Sequence, residues 1–227
     1  VEDFFNPANQ LVTTINGFDI IMSDMIRVLH TPNEPDKSNY LSDKIIDAHL
    51  YLLSRKYRNV VIQERGWYET LLEDKTFAKY NKKNISQNKT MFVPFWRGYH
   101  WILFVVYINE KKIVCYDSMA DISMAAYQME MSNEIMKYIT KGAKKQNWIY
   151  ELGEAPQQKN YYDCGVHVLI TVDYLCTEPD KKLNFSPIDV TNYRTKMLKA
   201  IINISECNRP MKLDNTDYKT SATFPKL

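Results

Sequence analysis

The sequence predicts a single α+β domain. Three observations carry this: apolar, β-branched and aromatic runs cluster between residues 90 and 116; helical periodicities lie before and after that cluster; and no composition break divides the 227 residues. Taken in order, Val12 to Ile15 and Phe18 to Met22 flank Asn16-Gly17, a pair that tolerates positive φ at both central positions of a tight hairpin turn. Ser23-Asp24 can cap a short helix through Leu29, and Thr31 to Asn39, with two prolines, reads as a loop. Ser42 caps a helix whose Leu41, Ile45, Ile46, Leu50, Leu53 and Tyr57 share one face. Val60 to Ile62 is a short strand, Trp67 to Lys82 a helix, and Asn84 to Lys89 a polar loop.

The strongest β signal follows. Thr90 to Pro94 and Trp101 to Ile108 are strands, Asn109 to Lys111 a turn, and Ile113 to Tyr116 the return strand. Asp121 to Lys145 reads as a long helix with a Met, Ala and Ile face, taken as core from Met119 to Met136. Lys141, Lys144 and Lys145 fall on its solvated side. Trp148 to Leu152 is a strand, Gly153 to Asp163 a polar loop, and Gly165 to Cys176 an apolar helix. Ser186-Pro187-Ile188-Asp189 supplies an N-cap, a Pro at N1 and an acid at N3, opening a last helix to about Ile204. Residues 1–206 form the domain in this reading, and 207–227 a polar tail over the surface.

Composition excludes several classes. Hydrophobic residues are 45% and charged residues 25%, ordinary globular usage. A chain of this length buries roughly 70% of its unfolded surface, enough for a core without disulfides. Lys plus Arg is 29 against 27 acidic residues, too even for nucleic acid or an anionic membrane as the main partner. The longest apolar run is too short to span a bilayer, and the N-terminus does not resemble a signal peptide. The chain begins at Val1 rather than Met and reads as a fragment or processed form. Cys115, Cys164, Cys176 and Cys207 have neither CxxC nor zinc-finger spacing, so they read as free thiols in a reducing compartment, with no metal expected.

Cys164 has the informative setting. It lies where a polar loop meets an apolar helix, and free N–H groups and the helix dipole favour an anion there. Gly165 behind it lets a substrate approach closely, although Asp-Cys-Gly alone also fits a structural cysteine. A nucleophilic thiol needs a base, and the base an orienter. His100 opens the long strand and Asp117 ends its hairpin partner, so the two are expected to face each other across the ladder; an edge His and a turn Asp is the alternative. Gln158, six residues before Cys164, offers the neutral amide donor that an oxyanion hole requires, or is a solvated loop residue. His167, one turn after Cys164, is a rival base but reads better as a packed or surface side chain. His30 and His49 carry no signal.

His-Trp, then Asp-Ser, then Gln-x-Asn-x-x-Asp-Cys-Gly, in that order and spacing, resembles the ubiquitin-like-protein proteases, the SUMO/sentrin-specific cysteine peptidases. Tyr40-Leu41-Ser42-Asp43 before Ile45-Ile46 is similar to the family's helix-opening Trp-Leu-Asn-Asp segment, and Asn184-Phe185 extends the likeness downstream. The resemblance covers roughly residues 11 to 205. It implies a papain-like α+β fold with a mixed or antiparallel sheet flanked by helices. It also implies a His100–Asp117–Cys164 triad, with Gln158 in the oxyanion hole and Trp101 walling a narrow tunnel for a Gly-Gly tail. Tyr40 stands where the family has its other tunnel Trp, and Asp43 would contact a basic residue of the modifier.

The activity implied is thiol isopeptidase cleavage after the Gly-Gly of a ubiquitin-like modifier, SUMO favoured, in a cofactor-free monomer, nuclear or cytoplasmic with the nucleus favoured. The alternatives are a deneddylase, deubiquitinase, viral polyprotein protease or bacterial acyltransferase on the same triad, and a non-catalytic modifier-binding module.

Overall fold

The computed structural model describes residues 6–29, 39–63, 67, 90–119, 125–140, 147–179 and 181–207. Strands β1 (Leu11–Ile15) and β2 (Phe18–Ile21) form a hairpin, with Asn16 and Gly17 at φ 49° and 82° as the Asn-Gly turn requires. Helix α1 (Met22–Leu29) follows, then α2 (Asp43–Lys56), whose Ile45 amide donates to the Ser42 hydroxyl at 3.4 Å. The five-stranded sheet has the order β3 (Val60–Ile62), β4 (Thr90–Arg97), β5 (His100–Tyr107), β6 (Lys112–Tyr116), β7 (Ile149–Gly153). Its inner pairs are antiparallel and its two outer pairs parallel, so it is mixed. The other helices are α3 (Ala125–Ile139), α4 (Cys164–Thr177) and α5 (Pro187–Cys207). A reciprocal box opens α5: Ser186 N–H donates to Asp189 Oδ2 at 2.7 Å, and Asp189 N–H to Ser186 Oγ at 3.4 Å.

The sheet has helices on both faces, which explains the unbroken apolar run of β5. Trp101, Leu103 and Val105 join a cluster with α2, α4 and α5, whereas Ile102, Phe104 and Val106 join one with Met131 and Ile135 of α3. Strand β4 runs three residues past the expected Pro94. Its pairing with β3 ends at Phe92, so Pro94 needs no donor on that side. Helix α4 is buried on nearly every side from Cys164 to Asp173, which accounts for its lack of a polar stripe.

Some expectations change. Met129 is exposed while Met131 and Met136 are buried, so the methionine stretch is only partly core. Of the proposed helix at Trp67 to Lys82, only Trp67 lies within the described residues. The polar loop at 84–89, Lys141, Lys144, Lys145 and the tail after Cys207 lie outside them. Among the described residues no helix is long and apolar enough to cross a membrane.

Candidate active site

The site assembles at one end of the sheet. The β4–β5 turn is Gly98-Tyr99, both with positive φ, and it makes His100 the first residue of β5, paired with Arg97. The β5–β6 ladder ends at Leu103 opposite Tyr116. Continuing that register places Asp117 opposite Ile102, so His100 and Asp117 do not face each other directly as the hairpin arithmetic had it. They meet on the diagonal, Asp117 having left the strand, and His100 Nε2 lies 2.7 Å from Asp117 Oδ1.

Asp117 is buried and held by several donors. Its Oδ1 also accepts from Met119 N–H at 2.9 Å, and its Oδ2 from Gln128 Nε2 of α3 at 2.8 Å. The other nitrogen of His100, Nδ1, is buried with no other partner and is left for the Cys164 thiol. Burial disfavours the imidazolium, but hydrogen bonds to Asp117 and Cys164, and their charges, outweigh it and raise His100 to about 9. This ring therefore holds its proton at neutral pH when the thiol beside it is ionised.

His167 is the opposite case. It is buried, its ring lies 5.4 Å from Phe185, and it hydrogen-bonds the backbone of Pro156. Burial lowers it to about 4 against the charge of Asp163 and that bond, so it is neutral at pH 7.

Gly165 has a packing role. A Cβ there would lie 2.7 Å from Ile46 Cδ1, the far end of that side chain, so the glycine eases the packing of α4 on α2, which the sequence did not foretell. Trp101 is buried, with its Cδ1 3.5 Å from the same point, and lines a cavity of about 10 Å³ with Ser118 and His167. Tyr40 lies close enough to Cys164 that, after burial, the thiolate's charge raises its hydroxyl pKa. Asp43 is the first residue of α2.

The loop before Cys164 is knitted to this end of the sheet. Gln158 N–H donates to the Ser118 carbonyl at 2.9 Å, and the Ser118 hydroxyl to Gln158 Oε1 at 2.7 Å. Gln158 Nε2 donates to the Asn160 carbonyl at 2.6 Å, so one of its two N–H donors is used within the loop in this structure. Gln157 Nε2 donates to the Asp117 carbonyl at 3.0 Å.

Sequence reasoning named no role for Gln128, Ser118 or Gln157. A lone Gln on an apolar helix face was the signal that could have found Gln128. Among the described residues no group of three or more His, Cys, Asp or Glu side chains is placed to hold a metal ion.

The chain is similar to known proteins in sequence and in fold. The chain is 28% identical over 197 residues to the ubiquitin-like-specific protease ESD4 of Arabidopsis thaliana, covering 74% of this chain and 38% of that protein. It is 25% identical over 177 residues to ubiquitin-like-specific protease 1 of Saccharomyces cerevisiae, covering 72% and 27%. It thus spans well under half the length of either relative. The fold matches the C-terminal Ulp1 protease domain solved in complex with Smt3, the yeast orthologue of SUMO. The TM-score is 0.72 at 20% identity, over 89% of this chain and 91% of that one. Residues 20–209 match the model of the Ulp1 protease family, C-terminal catalytic domain, and the chain belongs to that family.

Proposed function

We propose that the chain is the catalytic part of a thiol isopeptidase that cleaves after the C-terminal Gly-Gly of a ubiquitin-like modifier, with SUMO favoured. One observation carries the reading. His100 bonds Asp117 through one nitrogen, has its other nitrogen buried and unbonded, and interacts with Cys164, itself the first residue of a buried helix. Cys164, ionised with its proton on His100, attacks the carbonyl carbon of the terminal glycine. The first amides of α4 stabilise the oxyanion, together with Gln158 once its amide turns from Asn160. His100 donates its proton to the departing lysine amine, and water then attacks the thioester with His100 as base. Asp117 fixes the ring so that Nδ1 faces the sulfur throughout.

Tyr40 and Trp101 flank the path of the glycine tail in this proposal, and Asp43 meets a basic residue of the modifier. The near-neutral net charge of +2 supports a protein substrate over nucleic acid. A nuclear monomer is the favoured setting, from the family likeness.

The test is a panel of modifiers carrying a fluorogenic amide on the terminal glycine: SUMO, ubiquitin and the modifier cut by deneddylases. Release from SUMO at least tenfold faster than from the others is expected. Preference for another modifier would reassign the substrate, and release from none would remove the isopeptidase reading.

A further inference from the structure

Asp163 precedes the nucleophile and occupies the N-cap position of α4, yet it does not cap. Its φ and ψ of −86° and 1° are not the extended geometry of a capping residue, and its carboxylate makes no hydrogen bond to the helix amides. The carboxylate is turned to α5 instead. Arg194 Nε and a terminal nitrogen both donate to Asp163 Oδ1, at 2.9 and 2.6 Å, and Asn160 Nδ2 donates to Oδ2 at 2.7 Å.

Arg194 is itself 3% exposed, and two more of its donors go to carbonyls: Arg27 at 2.9 Å, near the end of α1, and Asn39 at 3.0 Å, the residue before Tyr40. Five donor–acceptor contacts thus fix both partners, and a buried guanidinium with this many bonds has no room to drift.

An aspartate at this position normally turns back onto the second and third amides of the helix. At α4 that would occupy the amide of Gly165 or Val166 and place a negative charge at the helix end beside the Cys164 thiol and the charge that develops there in the proposed reaction. We propose that Arg194 is a positioning residue of this site: by holding the Asp163 carboxylate against α5, it keeps the N-terminus of α4 open for the anions of the reaction. The same clamp fixes the chain at Asn39 and so the entry to Tyr40. The inference rests on the proposed role of Cys164 as nucleophile, but its test does not require the modifier to be known.

The measurement is the rate of alkylation of Cys164 by iodoacetamide at pH 6, read on the Cys164 peptide by mass spectrometry. Cleavage of a fluorogenic modifier substrate is followed in parallel. Arg194→Met frees the carboxylate, and alkylation is expected to fall about tenfold, the scale of a full helix-terminus charge effect. Substrate cleavage falls further, by about a hundredfold, because the oxyanion donors are filled too. In Arg194→Met with Asp163→Ala both halves of the buried pair are gone, a change that folds more readily than loss of one half. This double variant is expected to recover alkylation to within about threefold of the wild type.

A merely structural arginine predicts the reverse, with the double variant no better than the single one or alkylation unchanged in both, and either result overturns the proposal. If Arg194→Met does not fold, Arg194→Lys stands in. A compact ammonium lacks the planar fork that spans the three separated acceptors, so slower alkylation restored by adding Asp163→Ala supports the proposal, and failure to restore it counts against it. Intact alkylation behaviour with no cleavage of any modifier would leave this inference standing and remove the functional reading instead.

Discussion

The two ends of α4 each present a carboxylate to cations, with different results. At the N-terminal end, Asp163 meets one guanidinium that is fully buried and fixed by bonds to three chain segments, and the helix amides beside it are left uncapped. Toward the C-terminal end, Asp173 accepts from Lys56 at 2.9 Å, from the Tyr57 hydroxyl at 2.5 Å, and from Lys196. Burial works against the Asp173 anion, but those donors hold it at about 2. Its two lysines are more than half exposed. In the proposed mechanism the uncapped end keeps its amides for a reacting anion, whereas the carboxylate at the other end ties α2, α4 and α5 together. Rate should therefore depend on the first end and stability on the second.

The sharpest break is Cys164→Ser. Turnover should fall by more than about 10⁴-fold, as loss of a nucleophile does, with the melting temperature and modifier binding nearly unchanged. Retention of most hydrolysis would move the chemistry elsewhere. Next come the two histidines near the thiol. His100→Ala should cost about 10³–10⁴-fold, and His167→Ala less than about tenfold, measured as kcat/KM on one substrate. In the wild type, kcat/KM should decline as pH rises through about 9, since His100 keeps the proton it must donate below that value and loses it above. A flat profile to pH 10 would contradict the proton-donor role.

Gln158→Ala should reduce kcat by about 10²–10³-fold if the amide swings into the oxyanion site. Its present bond to Asn160 frames the alternative sharply: a full-rate variant would mean that Gln158 serves the loop alone. The smallest effect belongs to the other end of the helix. Asp173→Ala should cost about 1–2 kcal/mol in urea unfolding, discounted because its lysines are solvated, and should leave kcat/KM within twofold. A tenfold activity loss there would erase the distinction between the two ends.

Much of this was legible along the chain because it is local. The Ser42 cap, the Asn-Gly turn and the Ser186-to-Asp189 box are short-range rules, and each appears where its residues stand. The pairing of His100 with Asp117 followed from one hairpin, although the diagonal geometry did not, since a residue past the last ladder bond is not held to its register. The packing reason for Gly165 was not legible, because the side chain it accommodates belongs to Ile46, more than a hundred residues away. Arg194 escaped the sequence for the same cause, and Gln128 showed only as a lone polar residue on an apolar helix face. Only the tertiary arrangement brings each of them to a carboxylate of the candidate site.

The central claim is that Cys164, activated by His100, is the atom that reacts with the modifier's end. It is tested most directly with a SUMO whose C-terminal glycine carries a vinyl sulfone, followed by peptide mapping. The account predicts a single adduct on Cys164 in the wild type, slowed by at least about a hundredfold in His100→Ala and little changed in His167→Ala. An adduct on Cys115, Cys176 or Cys207, or equal rates in the two histidine variants, would contradict it.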